Sequence, residues 1–235
     1  VPSHDKRAVA CALAAVKDIR PDEVCIIGDF MDTVAPARWS KGTAAEYAGT
    51  LQHEVTAAKS LLTEIRTHYD GKLTFISGNH EDRIKKYLHT VAPAFVGLMP
   101  SLGELLEFEQ FEVQEKGARY PIAPNTLAIH GNKLCSTQQG AGQSAFKERM
   151  RHGRSIVQGH SHRLGIGWDS QEKDRFWLEA GHLMEPGKAH YLDFPGVVNW
   201  TQGFGLLELH KGHVFPSVHA IQSGTTCVAG QVYAA

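Results

Sequence analysis

The sequence predicts one α/β domain, and three observations carry that reading. Helical and strand-like segments alternate through the first part of the chain, and strand-like segments dominate after it. No internal repeat, low-complexity tract or linker divides the 235 residues. Four short apolar runs deliver Asp, Asn or His just past their C-terminal ends, with glycine alongside.

Residues 5–20 read as a helix, because Val9, Leu13, Val16 and Ile19 share one face. Asp5 is placed to cap it and Pro21 to end it. Residues 23–28 (EVCIIG) form a short buried strand. Residues 43–69 carry a longer stripe of Leu51, Val55, Ala58, Leu62, Ile65 and Tyr69. It stops after about three heptads, which fits a core-facing helix better than a coiled coil. Residues 72–77 form the second strand and 81–89 a further helix. From 91 to 124 the pattern is broken by Pro93, Pro100, Pro121 and Pro124, so this stretch reads as a helical insertion or cap within the single domain. Residues 125–130 are the third strand, 142–152 a short helix and 155–158 the fourth strand. Strands follow at 163–168, 175–180, 205–210 and 214–220.

With 24 Lys and Arg against 25 Asp and Glu, the formal charge is −1. That balance gives no basic field for long-range attraction of DNA and no acidic tail. Nucleic acid stays open only as a local substrate. No apolar run approaches the roughly 18 residues of a membrane span, and no stretch reads as a signal peptide. Cys11, Cys25, Cys135 and Cys227 lie far apart without a CxxC pair, which fits reduced thiols and a cytoplasmic location. No obligate protein partner is evident. Fourteen histidines is a high count, so position must decide which of them matter.

The chemistry lies at the strand ends. VCIIGD ends at Asp29, LTFISGNH at Asn79 and His80, TLAIHG at His130, and SIVQGHSH at His160 and His162. In α/β sheets, ligands bind at the carboxyl ends of strands. Glycine beside each polar residue lets the chain turn sharply and approach a ligand closely. The donors are oxygen and nitrogen only, a set that suits Mn²⁺, Fe²⁺ or Zn²⁺. No cysteine joins them, which argues against a structural zinc knuckle. A Gly-Asp or His-Gly pair alone is an ordinary turn; four such ends in order, about fifty, fifty and thirty residues apart, are not. Weaker candidates are His182, after the run at 175–180, and the glycine-rich stretch 136–143, which lacks the Lys-Ser/Thr of a P-loop. Cys135 reads as structural.

These motifs resemble those of the calcineurin-like metallophosphoesterase superfamily. GDFMD (28–32) is similar to its Gly-Asp-x-x-Asp, GNHE (78–81) to its Gly-Asn-His-Glu/Asp, His130 to its metal-binding His, and GHSH (159–162) to its Gly-His-x-His. The match spans most of the chain. GNHEDRIKKYL, GHSHR and NWTQGFG also look like single-domain members of phage and prophage type. The resemblance implies two packed mixed β-sheets flanked by α-helices, an α/β/β/α sandwich with the site at one edge. It implies a phosphomonoester or phosphodiester substrate, a nucleotide or nucleic-acid end included, and two divalent metal ions. Mn²⁺ is the ion expected first, with Fe, Zn or Ni as alternatives. Asp29 would bridge both ions, Asn79, His130 and His160 would complete the second site, and His162 would belong to the first. His80 would lie near the scissile phosphate, to protonate the leaving oxygen or stabilise charge on the phosphoryl group. A metal-held hydroxide would attack phosphorus in line. Asp32 and Glu81 would orient ligands through hydrogen bonds. Arg83 and Arg163 are candidate phosphate contacts, with solvent-facing roles as the alternative.

One departure bears on this set. The superfamily's first motif, Asp-x-His, is absent. Members commonly continue it as His-x-Pro-x-His-Asp, and Val1-Pro2-Ser3-His4-Asp5 fits everything after the first His. The missing ligands are therefore expected directly upstream of Val1. Without them the chain would hold one ion, and the rival reading is a catalytically impaired metal-binding or scaffold module of the same fold. Sequencing the coding region upstream of Val1 should show Asp-x-His directly before it; finding neither residue there would favour the rival.

Overall fold

The computed structural model describes residues 1–37, 42, 50–136, 139–188 and 199–235. Helix α1 (Lys6–Ile19) begins as expected at Asp5, whose carboxylate accepts from the amides of Arg7 and Ala8, and it ends at Arg20 in the left-handed region. Strand β1 (Glu23–Ile26) follows. Helix α2 runs Leu51–His68 and buries Val55, Ala58, Leu62 and Ile65 from the expected stripe. The part of that helix expected over 43–49 lies outside the described residues. Strand β2 (Lys72–Ile76) and helix α3 (Glu81–Val91) come next.

The stretch 91–124 differs from the expected helical insertion. It opens with a 3₁₀ turn (Pro93–Leu98) and a single-turn helix α4 (Leu102–Leu105), then forms strands β3 (Val113–Lys116) and β4 (Tyr120–Ala123). Each is an outer strand, one in each main sheet. An outer strand tolerates proline, which explains how Pro121 sits within β4. The remaining elements are β5 (Thr126–Ile129), α5 (Gln143–His152), β6 (Ser155–Gln158), β7 (Leu164–Trp168) and β8 (Phe176–Ala180). After them come β9 (Gly203–His210), β10 (His213–Ala220), β11 (Thr225–Val228) and β12 (Gln231–Ala234).

The result is a mixed α/β protein with several sheets flanked by helices. Strands β1, β2 and β3 form a parallel sheet, where the resemblance implied a mixed one. The second sheet is mixed, in the order β4-β5-β6-β8-β7, with β5, β6 and β8 parallel and an antiparallel strand at either edge. Two antiparallel hairpins, β9–β10 and β11–β12, complete the fold.

Packing follows from side-chain alternation along the strands. In β6, Ile156 faces one way and packs with Leu127, Ile129 and Ala145 of α5. Its neighbour Val157 faces the other way, into a core with Phe176, Leu178, Leu207, Val214 and Val218 beneath the β9–β10 hairpin. The first sheet is covered by α1 and α2, through Val9, Leu13, Val55, Leu62 and Ile65 against Leu73 and Phe75. Helix α1 is buried on a second side that its apolar stripe does not show. Ala8, Cys11 and Ala15 lie under Val228 and Tyr233 of the C-terminal hairpin. Among the described residues, no helix is long and apolar enough to cross a membrane.

The start of α5 is held by a buried charge. Glu179 on β8 is fully buried and accepts from the amides of Gly142 (2.8 Å), Ser144 (3.2 Å) and Ala145 (3.4 Å), and from the Ser144 hydroxyl. These are orphan donors at the positive end of a helix. The glycine-rich stretch before α5 therefore has no free N-terminal amides at these positions to offer a phosphate. Replacing Glu179 with Ala strands these donors and should cost about 2–4 kcal/mol, measured as a drop in the urea midpoint; an unchanged midpoint would remove this anchoring role.

Candidate metal centre at the strand ends

The carboxyl ends of the two sheets meet, and the predicted residues gather where they do. Asp29 follows β1, Asn79 and His80 follow β2, His130 follows β5, and His160 follows β6. The Nδ1–H of His130 donates to the carbonyl of Ile27 at 2.9 Å, and this hydrogen bond ties the site end of the second sheet to the first. That bond sets the direction of the ring. Its Nε2 then lies 3.0 Å from Asn79 Oδ1, 3.2 Å from Asp29 Oδ1 and 3.1 Å from His160 Nδ1. Ligand atoms of Asp29, His130 and His160 all fall within 4.8 Å of one another. His80 Nε2 stands 3.7 Å from Asp29 Oδ2, while the His80 amide donates to Asp29 Oδ1 at 3.0 Å.

This geometry has an electrostatic consequence. With Nδ1 of His130 committed as a donor, a neutral ring presents a lone pair at Nε2 to an amide oxygen, a carboxylate and a second imidazole. Lone pairs packed this closely call for a cation between them. The electrostatics favour positive charge at this point, from a proton as well as from a metal ion. Burial opposes charge on His130, but the Asp29 carboxylate outweighs it and raises the imidazole above its ordinary value. Burial would raise Asp29, yet hydrogen bonds with His130 and His160 hold it well below the usual carboxylate range. The donor set therefore fits a divalent ion of the Mn, Fe or Zn kind, held by Asp29, Asn79, His130 and His160.

The backbone is bent to reach this arrangement. Asp29, His160 and His162 all have positive φ, at 53°, 60° and 58°. Left-handed backbone is uncommon for residues other than glycine, and such strain clusters at functional sites. The loops also touch backbone to backbone. A Cβ on Gly78 would lie 2.4 Å from the amide nitrogen of Asp29, and one on Gly28 would lie 2.6 Å from the amide nitrogen of Gly78. Only glycine at both positions lets the two strand ends come this close.

Glu81 and Asp32 sit behind the ligands. Glu81 is buried, and its carboxylate accepts from the amides of Gly78 (2.8 Å), Met31 (2.9 Å) and Asp29 (3.0 Å). Burial and the neighbouring Asp29 charge push its carboxyl above the ordinary value. Asp32 accepts from the Ser3 amide at 3.0 Å, and its carbonyl accepts from Arg83 at 2.9 Å. Arg163 does not meet the expectation of a phosphate contact. It is buried at 3% exposure, and its guanidinium turns inward to the Ser136 carbonyl and the Cys135 sulfur, which pins the loop after β5.

His162 is not one of the three residues whose ligand atoms lie within 4.8 Å of one another, but it feels the charges of Asp29, His160 and His80. Its ring packs against Trp200 (centroids 4.5 Å apart) and His182 (5.4 Å). His182, Thr33 and Glu54 are the neighbours that sequence reasoning weighed lightly or missed. Thr33 has positive φ at 44° and donates its hydroxyl to the His80 carbonyl at 2.6 Å. Glu54 of α2 accepts from the amides of Thr33 and Val34. Neither carries a motif. Only the position of Glu54 beside the apolar stripe, and of His182 after a strand, was available as a signal.

The fold and these residues define an α/β protein with an oxygen and nitrogen donor cluster where the strand ends of two sheets converge. No family model matches the chain. It is 35% identical to the Gene 54 protein of Mycobacterium phage L5 over 243 residues, covering 99% of this chain and 94% of that protein. The Gene 54 protein of Mycobacterium phage D29 gives the same identity and coverage. The chain belongs to the family of these phage Gene 54 proteins.

The buried imidazoles predict how the metal-free protein responds to acid. Burial lowers His80 to about 4, His162 to about 3 and His182 to about 4. An unfolded histidine titrates near 6.5, so below that pH the unfolded chain takes up protons first and stability falls. His130, raised in the fold, works in the opposite direction but is outnumbered. In chelator, the urea midpoint should drop between pH 7 and pH 4. The loss should reach several kcal/mol, because each tenfold change in proton affinity on folding is worth about 1.4 kcal/mol. A midpoint that holds or rises over this window would mean that the rings are not buried neutral.

Proposed function

We propose that this protein is a metal-dependent phosphoester hydrolase, with the two sheets packed as an α/β/β/α sandwich and the cytoplasm as its setting. The observation that carries the reading is the convergence of Asp29, Asn79, His130 and His160 with acceptor atoms facing one another. These residues make a full ligand set for one of the two ions that the sequence resemblance implies. A divalent ion held there supplies polarisation of a phosphoryl oxygen and a lowered pKa for water.

The protein's own groups account for the rest. Asp29 would bind the ion while its Oδ1 keeps the His80 amide in place. His80, beside Asp29 and anchored through its carbonyl by Thr33, would face a phosphoester bound at the ion. From there its imidazole, kept neutral near pH 7 by burial, would donate a hydrogen bond to the leaving oxygen and stabilise charge there. Glu81 would keep Asp29 and Gly78 from shifting as the phosphoryl group binds. The half-buried Arg83 is turned partly to the Asp32 carbonyl, which suits it to holding the loop after β1. The near-neutral charge leaves the choice between a small phosphoester and a nucleic-acid end to the local surface of the site.

Titration with Mn²⁺ and turnover of an aryl phosphate and an aryl phosphodiester test the reading together. Saturable Mn²⁺ binding with metal-dependent turnover of either ester is expected. Asp29→Asn should weaken Mn²⁺ binding by roughly tenfold or more. His80→Ala should keep Mn²⁺ binding and lower turnover by ~10²–10⁴. Binding without turnover would point to the scaffold reading, and no binding would sink the metal centre.

A further inference from the structure

We propose that helix α3 and the 3₁₀ turn after it form a dimer interface, and that the partner seated there is a second copy of this chain. Along α3, Ile84, Tyr87, Leu88 and Val91 fall on one face at helical spacing. Ala92 alone separates α3 from the 3₁₀ turn, where Phe95 and Leu98 share a face at three-residue spacing. Met99 follows directly. Leu98 is 78% exposed, Phe95 59% and Val91 56%, and Tyr87 and Met99 are exposed as well. None of these residues belongs to the buried apolar clusters that hold the fold together. The stripe on α3 therefore does not serve the core of its own chain.

Two properties point to the occupant. The first is area. At such exposures the five side chains present on the order of 500 Å² of apolar surface, near the upper end of the ~300–600 Å² that the largest patch of a monomer reaches. Flanking polar surface has to add only about 300 Å² to reach the ~800 Å² per partner of an interface of standard size. The second is charge. The chain enters the apolar stretch past exposed Lys85 and Lys86. Lys86 meets Asp82 of its own helix at 3.4 Å, an exposed pair of little strength. The chain leaves the stretch into an acidic end, where Glu104, Glu107 and Glu109 line one open cleft with Phe108. The apolar stretch thus lies between a basic end and an acidic end. A two-fold axis through it lays the basic end of each copy on the acidic end of the other. Both sets of opposite charges then form at once, and a second copy supplies the complement by itself.

The metal centre and the interface share α3. Its first residue, Glu81, ties the loops at the strand ends together, and its later turns would carry the partner. The interface does not depend on the phosphoester reading.

Sedimentation velocity of the full chain at about 5 and 50 µM tests the proposal, because a standard-size interface with a micromolar Kd is mostly assembled at the higher concentration. A mass twice that of one chain is expected there. Leu98→Glu should give a monomer with an unchanged far-UV spectrum, since a side chain so exposed supports little packing within its own chain. Lys85→Glu with Lys86→Glu turns the basic end acidic, and Glu107→Lys with Glu109→Lys turns the acidic end basic. Each of these two variants alone should raise the dimer Kd by tenfold or more, because like charges meet across the axis. Mixed in equal amounts they should recover the dimer, because each end again meets its opposite. Should Leu98→Glu fail to fold, the charge variants and their mixture decide. A wild type that stays a single chain at about 50 µM, as it would if another protein or a membrane covered the stripe, would overturn the proposal. So would an undiminished dimer in folded Leu98→Glu, charge variants that dimerise as well as the wild type, or a mixture no stronger than its parts. A ladder of higher masses would mean a head-to-tail contact and would overturn it too.

Discussion

Glu81 spends both carboxylate oxygens on backbone amides, and the site depends on that arrangement. Its three donors come from two different loops, Gly78 after β2 and Asp29 with Met31 after β1. A charge-assisted bond of this kind is stronger than one between neutral groups, and here three converge on one buried group. They draw the end of β1 against the end of β2 and leave Asp29 in a left-handed turn with its carboxylate facing His130. The Gly28 and Gly78 contacts are the steric counterpart of the same closure, because no side chain fits between the two loops. Thr33 and Glu54 extend the support, fixing the His80 carbonyl and the loop after β1 to helix α2.

The second sheet contributes through one bond that also sets chemistry. His130 donates Nδ1–H to Ile27, a residue of the first sheet's outgoing chain, and so aims its other nitrogen at Asp29 and Asn79. Orientation of a ligand ring by a backbone carbonyl behind it is a common way to tune a metal site. Here the same bond serves the packing of one sheet against the other.

Much of this could be read from the sequence. The four strand ends are legible because short apolar runs stop at glycine and a polar residue, and the order of those ends is a long-range pattern. Helix α2 is legible from its stripe. The outer strands β3 and β4 were hidden, since outer strands accept the prolines and charges that otherwise signal loops. The second buried side of α1 was hidden as well, because Ala8, Cys11 and Ala15 become core only when the C-terminal hairpin lies on them. Arg163 illustrates the limit at the site. An arginine beside GHSH suggests a phosphate contact, but burial against the loop after β5 turns its guanidinium inward. His182, a weak candidate from its place after a strand, carries no motif, and its packing on His162 follows once β8 is laid beside β6.

The division of the donors between two sheets has a mechanical side. Asp29 and Asn79 ride on one sheet, His130 and His160 on the other, and among the described residues no strand pairing joins the two. Any sliding of one layer over its neighbour is therefore felt directly as a change in donor spacing. An occupant of the cluster would act as a rivet through both layers, and its binding energy would add to the resistance against their separation. Affinity at this point would then be felt as stability of the whole molecule.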